Sequence, residues 1–211
     1  MISILYNDTP VYLDAVMTES FDPKNPFPGI SYSWNKIPKG EKQDFPEKLF
    51  LISRENWVEF DYHAQFNGFI LSDRFLSFMQ KYGNMENFQI VKLSIIGTTG
   101  NILTETGYNY LYPYKRANII DYDASQYITK TGRERNESLP VNGTWISKYI
   151  TLELKKNTFE EEIIVANDVL FGQYFFVKED VLTLMRDNAF KGFNAIAYTD
   201  FPSFYNKVNF L

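Results

Sequence analysis

The chain has 211 residues, with 21 lysines and arginines against 26 aspartates and glutamates, so its net charge is −5 near neutral pH. This length suits one large domain or two small ones, and we predict a single domain over residues 1–211. Cysteine is absent, which excludes disulfides, a thiolate zinc site and a cysteine nucleophile. The negative charge disfavours non-specific binding to nucleic acid or to an anionic membrane, and it favours a basic partner.

The N-terminal segment, residues 1–56, combines strand patterns with a proline-rich stretch. Residues 2–6 and 11–16 are apolar, are separated by a turn signal and predict an opening hairpin. Residues 21–46 contain five prolines, which interrupt regular structure repeatedly. We predict an ordered loop there, with a flexible linker as the alternative. The apolar anchors that favour the ordered loop are Phe27, Ile30, Tyr32 and Trp34.

No targeting or membrane segment is indicated. The N-terminus has no basic region before its first apolar residues, and polar residues follow too soon for a signal peptide. No later apolar run reaches the ~18 residues that a membrane span needs. We therefore expect a soluble, cytoplasmic protein.

After residue 46 the pattern is mainly that of short strands. Ser72 is a good N-cap, Asp73 suits the first turn of a helix, and Gly83 ends that helix. Residues 202–208 predict the last of about three helices, and the polar residues 129–142 predict a surface loop. The predicted strands are 49–53, 57–62, 69–71, 88–96, 108–114, 117–121, 145–154, 159–165 and 193–198.

An internal repeat is the main clue to the architecture. The segment from Gly68 to Tyr82 is echoed by the segment from Gln173 to Asn188, at an offset of 175 − 69 = 106 in the numbering. Each copy has the pattern strand, helix, strand, and helical periodicity turns the aligned residues inward. We predict a mixed α+β fold of short strands, with two related strand-helix-strand units in one domain. The offset aligns Phe69 with Phe175, Leu76 with Leu182 and Met79 with Met185.

Few residues offer catalytic chemistry. His63 is the only histidine, and with Asp61 it suggests a base held by an acid, although a surface or core-edge histidine is the alternative. Asp121 and Asp123 fit turn capping better than a catalytic carboxylate pair. The chain has neither a glycine-rich phosphate loop nor a Gly-x-Ser-x-Gly nucleophile turn. We therefore predict no catalytic residue, no cofactor and no metal.

Two groups of residues are candidates for binding a partner. Glu160, Glu161 and Glu162 form an acidic run, which indicates either a solvated segment or a contact for a basic partner. Four tyrosines occupy alternate positions of one predicted strand, so their rings leave the same face. Such rings suit base stacking or a protein contact, but alternate aromatic residues also suit a buried core face. The four are Tyr108, Tyr110, Tyr112 and Tyr114, and we call them the tyrosine ladder.

Six apolar motifs carry a family resemblance. In chain order they are Phe69-Ile-Leu-Ser-Asp-Arg-Phe-Leu, Asn87-Phe-Gln-Ile-Val-Lys-Leu, Tyr110-Leu-Tyr, Asn118-Ile-Ile-Asp-Tyr-Asp-Ala-Ser, Leu170-Phe-Gly-Gln-Tyr-Phe-Phe-Val-Lys-Glu-Asp-Val-Leu and Phe190-Lys-Gly-Phe. The chain therefore resembles the immunity proteins of bacterial polymorphic toxin systems, in particular immunity protein families 11 and 43. The similarity covers residues 57–200, and the N-terminal segment before it is not distinctive. In one departure, Gly172-Gln-Tyr stands where the family often has a basic residue.

The resemblance implies a non-enzymatic antidote that binds and blocks a cognate protein toxin. It brings no catalytic residues with it. Two alternatives remain at this point: a structural or scaffold protein of a phage or secretion system, and a carboxylate-based hydrolase. An acidic, aromatic-rich chain without a recognisable active site suits an inhibitor, because binding needs anchors and complementary charge.

Overall fold

The computed structural model describes residues 1–8, 13–27, 41–130, 141, 144–156, 159–168 and 171–209. In these ranges the chain forms twelve strands and three α-helices, which confirms the predicted α+β class. The helices are α1 (Asp73–Tyr82), α2 (Glu179–Asp187) and α3 (Phe201–Asn209). The strands are β1 (Ile2–Asn7), β2 (Ala15–Thr18), β3 (Lys48–Ser53), β4 (Tyr62–Gln65), β5 (Gly68–Ser72), β6 (Phe88–Gly97), β7 (Tyr108–Pro113), β8 (Gln126–Thr129), β9 (Ile146–Thr151), β10 (Ile163–Val165), β11 (Phe175–Lys178) and β12 (Phe193–Ala197).

The strands form two larger sheets and one hairpin. The first sheet has the order β2-β3-β6-β7-β5-β4, and the second has the order β10-β11-β1-β12. Strands β8 and β9 pair with each other. Strands β3 and β6 are parallel, and the neighbours in the other pairings are antiparallel.

The predicted repeat extends further than the sequence echo indicated. In the first sheet, β4, β5, β7 and β6 lie side by side, and in the second sheet β10, β11, β1 and β12 have the same order and the same antiparallel pairing. Ile4 of β1 lies opposite Phe176, just as Tyr110 of β7 lies opposite Ile70. We call these two four-stranded units, each with its helix, the first and second halves. The N-terminal strand β1 therefore completes the half formed by the C-terminal part of the chain.

The two halves share one apolar core. Phe69 and Phe175, which the repeat aligns, stack on each other with ring centroids 3.8 Å apart and planes 18° from parallel. The other aligned pairs, Leu76 with Leu182 and Met79 with Met185, belong to the same buried cluster. The prediction that the aligned residues face inward is confirmed, and the repeat brings the copies into direct contact.

Each sheet has a second apolar face, which segments outside the repeat cover. The outer face of the first sheet, to which β2 and β3 contribute, packs against residues near Phe45 and Phe60. The outer face of the second sheet packs against the β8–β9 hairpin and α3, with Tyr149 and Phe201 buried there. The molecule is therefore layered, with the shared core between the two sheets and a separate cluster on each outer side.

Helix α1 begins as its sequence predicts. The Ser72 hydroxyl accepts a hydrogen bond from the amide of Phe75 at 3.2 Å, and the Gly83 amide donates to the Met79 carbonyl at 2.7 Å. Asp73 lies in the first turn and Lys81 in the last, where each charge complements the helix dipole. Helix α2 begins after Lys178, which provides no side-chain cap.

Several strand predictions were wrong. Residues 2–6 do not form a hairpin with the next strand, because β1 pairs with β11 and β12 whereas β2 pairs with β3. Residues 57–61 are irregular, and the strand begins at Tyr62. Residues 117–121 form isolated bridges only, and the strand predicted over 159–165 is limited to Ile163–Val165. In each case the chain makes its backbone hydrogen bonds with distant segments that local periodicity does not reveal.

The proline-rich segment is described only at its two ends. Phe45 packs edge-on against Tyr110 and Tyr112, with ring centroids 5.9 and 5.3 Å apart. The guanidinium of Arg54 lies 4.3 Å from the centre of the Phe27 ring. Aromatic contacts therefore anchor the two described ends of this segment. Ile30, Tyr32, Trp34 and most of the predicted loop 129–142 lie outside the described residues.

Candidate functional site

A cleft of about 630 Å³ lies between the two halves. One wall follows β7, where the amide of Lys115 donates to the carbonyl of Asn87 at 3.2 Å. The amide of Ala117 donates to the carbonyl of Val165 at 2.8 Å, which joins this wall to β10. The lining residues are Asn87, Phe88, Lys115, Arg116, Ala117, Glu160, Glu161 and residues 163–165. The cleft therefore carries basic side chains on the segment after β7 and acidic side chains on the segment before β10.

The predicted acidic run contributes to this cleft unevenly. Glu160 is exposed at the rim. Glu161 accepts hydrogen bonds from the side-chain amides of Asn84 at 2.8 Å and Asn87 at 3.2 Å. Glu162 forms an ion pair with Lys178 at 3.0 Å. Only Glu160 of the three therefore has no partner of this kind in the described structure. Glu161 connects the segment before β10 to the segment after α1, and Glu162 pairs within the second half.

Arg116 is the most unusual residue of the cleft. Its guanidinium lies against Gly172, where an added Cβ would come within 3.0 Å of the Arg116 Cζ. Burial lowers the pKa of Arg116 to about 10, although Tyr112, Tyr110 and Asp168 oppose this effect. Among the described residues, its Nε has no hydrogen-bond partner. The absence of a side chain at Gly172 thus leaves space that the side chain of Arg116 fills.

A buried polar cluster lies behind Arg116. The Asp168 carboxylate, which is 5% exposed, accepts hydrogen bonds from the hydroxyls of Tyr122 at 2.6 Å and Tyr149 at 3.0 Å. Burial and the charge of Asp168 both raise the pKa of each tyrosine, so both hydroxyls stay protonated as donors. Asp168 therefore supplies negative charge beneath the cleft while its oxygen is engaged by two tyrosines.

The tyrosine ladder lies in the core. Tyr108, Tyr110, Tyr112 and Tyr114 are between 0% and 8% exposed and share a buried cluster with β3 and β6. The hydroxyl of Tyr108 donates to the Phe60 carbonyl at 2.8 Å, and that of Tyr110 donates to the Phe66 carbonyl at 2.6 Å. The core alternative for these residues is therefore confirmed. Their rings offer no surface to a partner, so the acidic run is the part of the predicted contact that remains.

The carboxylate and histidine candidates are separate from one another. Asp61 accepts hydrogen bonds from Ser72 at 2.7 Å, from Arg74 at 2.8 Å and from the Lys191 amide at 2.8 Å. His63 is 3% exposed, and its Nε2 lies 3.0 Å from the Oε1 of Gln65. Asp61 thus connects α1 to the segment before β12, and His63 belongs to a different contact.

The second pair of acids also has a structural explanation. Asp121 accepts the amide of Ala124 at 3.1 Å, which confirms the turn-capping interpretation, and Asp123 is exposed. None of the four candidate residues lines the cleft. In the described part of the chain, no group of three or more His, Cys, Asp or Glu side chains is arranged to hold a metal ion.

A second cavity, of about 390 Å³, lies at the carboxyl ends of β3 and β6. Its basic residue, Arg54, already forms an ion pair with Asp14 at 3.1 Å. The charge of Arg54, the basic residue described at this cavity, is therefore better compensated than that of Arg116.

The site residues that the sequence did not reveal are Asn87, Lys115, Arg116 and Asp168. Arg116 directly follows the tyrosine ladder and Lys115 in the chain, and Gly172 lies opposite it. Gly172 was noted in the sequence as part of Gly172-Gln-Tyr. Its meaning required the fold, because Gly172 and Arg116 are distant in the chain and only folding brings them into contact.

Comparison with known proteins assigns the chain to a family. It matches the family described as Immunity protein 43 over residues 3–211, and it belongs to that family. The match includes most of the N-terminal segment, which the sequence resemblance had left out. No curated protein matches the chain. Among the described residues, no helix is long and apolar enough to cross a membrane.

Proposed function

We propose that this protein neutralises a cognate bacterial toxin in the cytoplasm by binding it and blocking its action, without catalysis of its own. The observation that carries the proposal is the match to an immunity protein family over almost the whole chain. The candidate catalytic residues support a role without catalysis, because Asp61, His63 and Asp121 each have structural contacts.

The cleft is the surface that we assign to the toxin. It combines exposed charge at the rim with buried apolar and polar groups in the walls, which is the composition of a specific protein contact. Glu160 is the acidic residue best placed for a basic group of the toxin, since Glu161 and Glu162 are held by side chains of this protein. An acidic rim also accelerates encounter with a basic partner.

The test uses the purified protein and the product of the gene adjacent to its own, which we expect to be the toxin. We expect a one-to-one complex in which toxin activity is lost. Glu160→Lys should slow association about threefold to tenfold at low salt, and the effect should shrink as salt rises. The matched control is Glu105→Lys, another exposed glutamate, which precedes β7 whereas the cleft follows its far end.

Equal association rates for Glu160→Lys and Glu105→Lys would exclude the electrostatic role of Glu160. Toxin that stays active and unbound beside the wild-type protein would exclude the proposed function itself. A scaffold protein of a phage or secretion system would give the second outcome, and it would assemble with itself or with other structural subunits.

A further inference from the structure

One N–H group of a cation in the cleft lacks a hydrogen-bond acceptor among the described residues. The Arg116 Nε is buried and has no partner among the described residues, although a buried N–H group without an acceptor is costly. The low pKa of Arg116, about 10, has the same cause, because its surroundings replace water without fully compensating the charge. Because Arg116 also lines the cleft, an acceptor that enters the cleft can bind its guanidinium.

The nearby acids already have other hydrogen bonds. Asp168 accepts from Tyr122 and Tyr149, and Glu161 accepts from Asn84 and Asn87. Gly172 allows the guanidinium to sit where it does, since a side chain there would displace it. The arrangement holds Arg116 in place and leaves one of its donors unused within the described part of the fold.

The charges around Arg116 indicate which kind of chemical group binds to it. Lys115 is exposed on the same segment, and Glu160 is exposed on the opposite side of the cleft. Glu160 and Glu161 line the same cleft, so their charges disfavour a multiply charged anion such as phosphate. A polypeptide that presents one carboxylate to Arg116 and one basic side chain to Glu160 complements both charges of the cleft.

We propose that the cleft receives an acidic side chain of the toxin, whose carboxylate accepts hydrogen bonds from Arg116, while a neighbouring basic side chain of the toxin lies against Glu160. This proposal rests on the function proposed above and specifies which chemical groups of the toxin the cleft binds. The planar guanidinium binds a carboxylate through two donors, which a lysine at the same position cannot do.

The first test compares variants in binding to the purified toxin of the adjacent gene. Arg116→Lys should weaken binding roughly 30-fold or more, because it keeps the charge but removes the planar donor pair. Lys115→Ala should weaken binding about threefold. The matched control is Lys48→Ala, because Lys48 is also exposed and lies 5.1 Å from the ring of Phe50, as Lys115 lies 5.7 Å from the ring of Tyr114.

Thermal melting curves and NMR spectra of the backbone amides establish that each variant is folded before its affinity is interpreted. If the wild-type protein binds the toxin and folded Arg116→Lys binds equally well, the carboxylate contact is wrong and the proposed function stands. If the wild-type protein does not bind, the proposed function fails, and the cleft is then judged by a separate probe.

That probe is N-acetyl-aspartyl-lysine amide, titrated at millimolar concentration while the Arg116 Nε–H resonance is followed. We expect a saturable shift with this dipeptide and a much smaller one with its asparaginyl counterpart. Inorganic phosphate provides the third arm. An equal shift with the asparaginyl dipeptide, a larger shift with phosphate, or no shift with any of the three would overturn the assignment of a carboxylate to Arg116.

Discussion

At the scale of single residues, His63 shows how the fold uses a group that resembles a catalytic base. In β4 it lies opposite Ile70, and in the second half the equivalent position, opposite Phe176, is Ile164. Burial lowers the pKa of His63 below 6.5, although Gln65 and Asp8 oppose that change. The folded state therefore keeps the imidazole neutral to a lower pH than the unfolded chain does.

This difference predicts a pH dependence of stability. As the pH falls below about 6.5, the unfolded chain takes up a proton at His63 before the folded protein does, so the free energy of unfolding decreases. His63→Ile, which introduces the residue of the other half, should remove most of this decrease. Urea denaturation at several pH values between about 7.5 and 5.5 measures it, and His63 is the only histidine. If the free energy of unfolding decreases equally with falling pH in the wild-type protein and in His63→Ile, the prediction is contradicted.

The limits of sequence reasoning are also clear at this scale. The Ser72 cap and Asp121 turn were predictable, because a short polar side chain and its backbone partner lie within three residues. The partners of Asp61 were not, since Arg74 is 13 residues away and Lys191 is 130 residues away. Arg116 gave no signal of its own, because its environment depends on Gly172 and on the buried cluster around Asp168.

At the scale of elements, the repeat predicted the helices and their inward faces, whereas strand partners required the structure. Alternation correctly placed three rings of the tyrosine ladder on one face of β7, and Tyr114, directly after the strand, packs in the same cluster. It did not show that the face is covered, because Phe45, Phe60 and Phe66 come from earlier segments of the chain, before α1. Likewise, nothing local to β1 indicates that it lies between β11 and β12.

The contact between the repeated elements can be measured with a double-mutant cycle on Phe69 and Phe175. Each Phe→Leu substitution should destabilise the protein, because both rings are fully buried. The second substitution should cost less once the first is present, by about 0.5–1.5 kcal/mol, since the stacked pair is then already lost. Denaturant titration of the four proteins gives this coupling energy. Additive losses would show that the two halves do not depend on this pair.

At the scale of the whole molecule, the shared core and the position of β1 predict a single cooperative unit. The core between the sheets contains residues of both halves, and β1 ties the N-terminus into the second sheet. We therefore expect one unfolding transition, with coincident midpoints for tryptophan fluorescence and far-ultraviolet circular dichroism. Two separated transitions would instead indicate two domains.

The proposed function also involves the whole molecule, because the family match spans residues 3–211 and the cleft is formed where the two halves meet. An inhibitor of this type needs a stable frame that holds a few charged anchors in place. We propose Arg116 and Glu160, which both line the cleft, as such anchors; they come from segments that the repeat does not include.

The most direct measurement is growth of cells that express the product of the adjacent gene, which we expect to be the toxin, with and without this protein, followed by isolation of the complex. The account predicts restored growth and a one-to-one complex with wild-type protein, and clearly weaker protection by Arg116→Lys than by Lys48→Ala. Cells that die despite folded, abundant wild-type protein, together with purified toxin that neither binds it nor loses activity, would contradict the account.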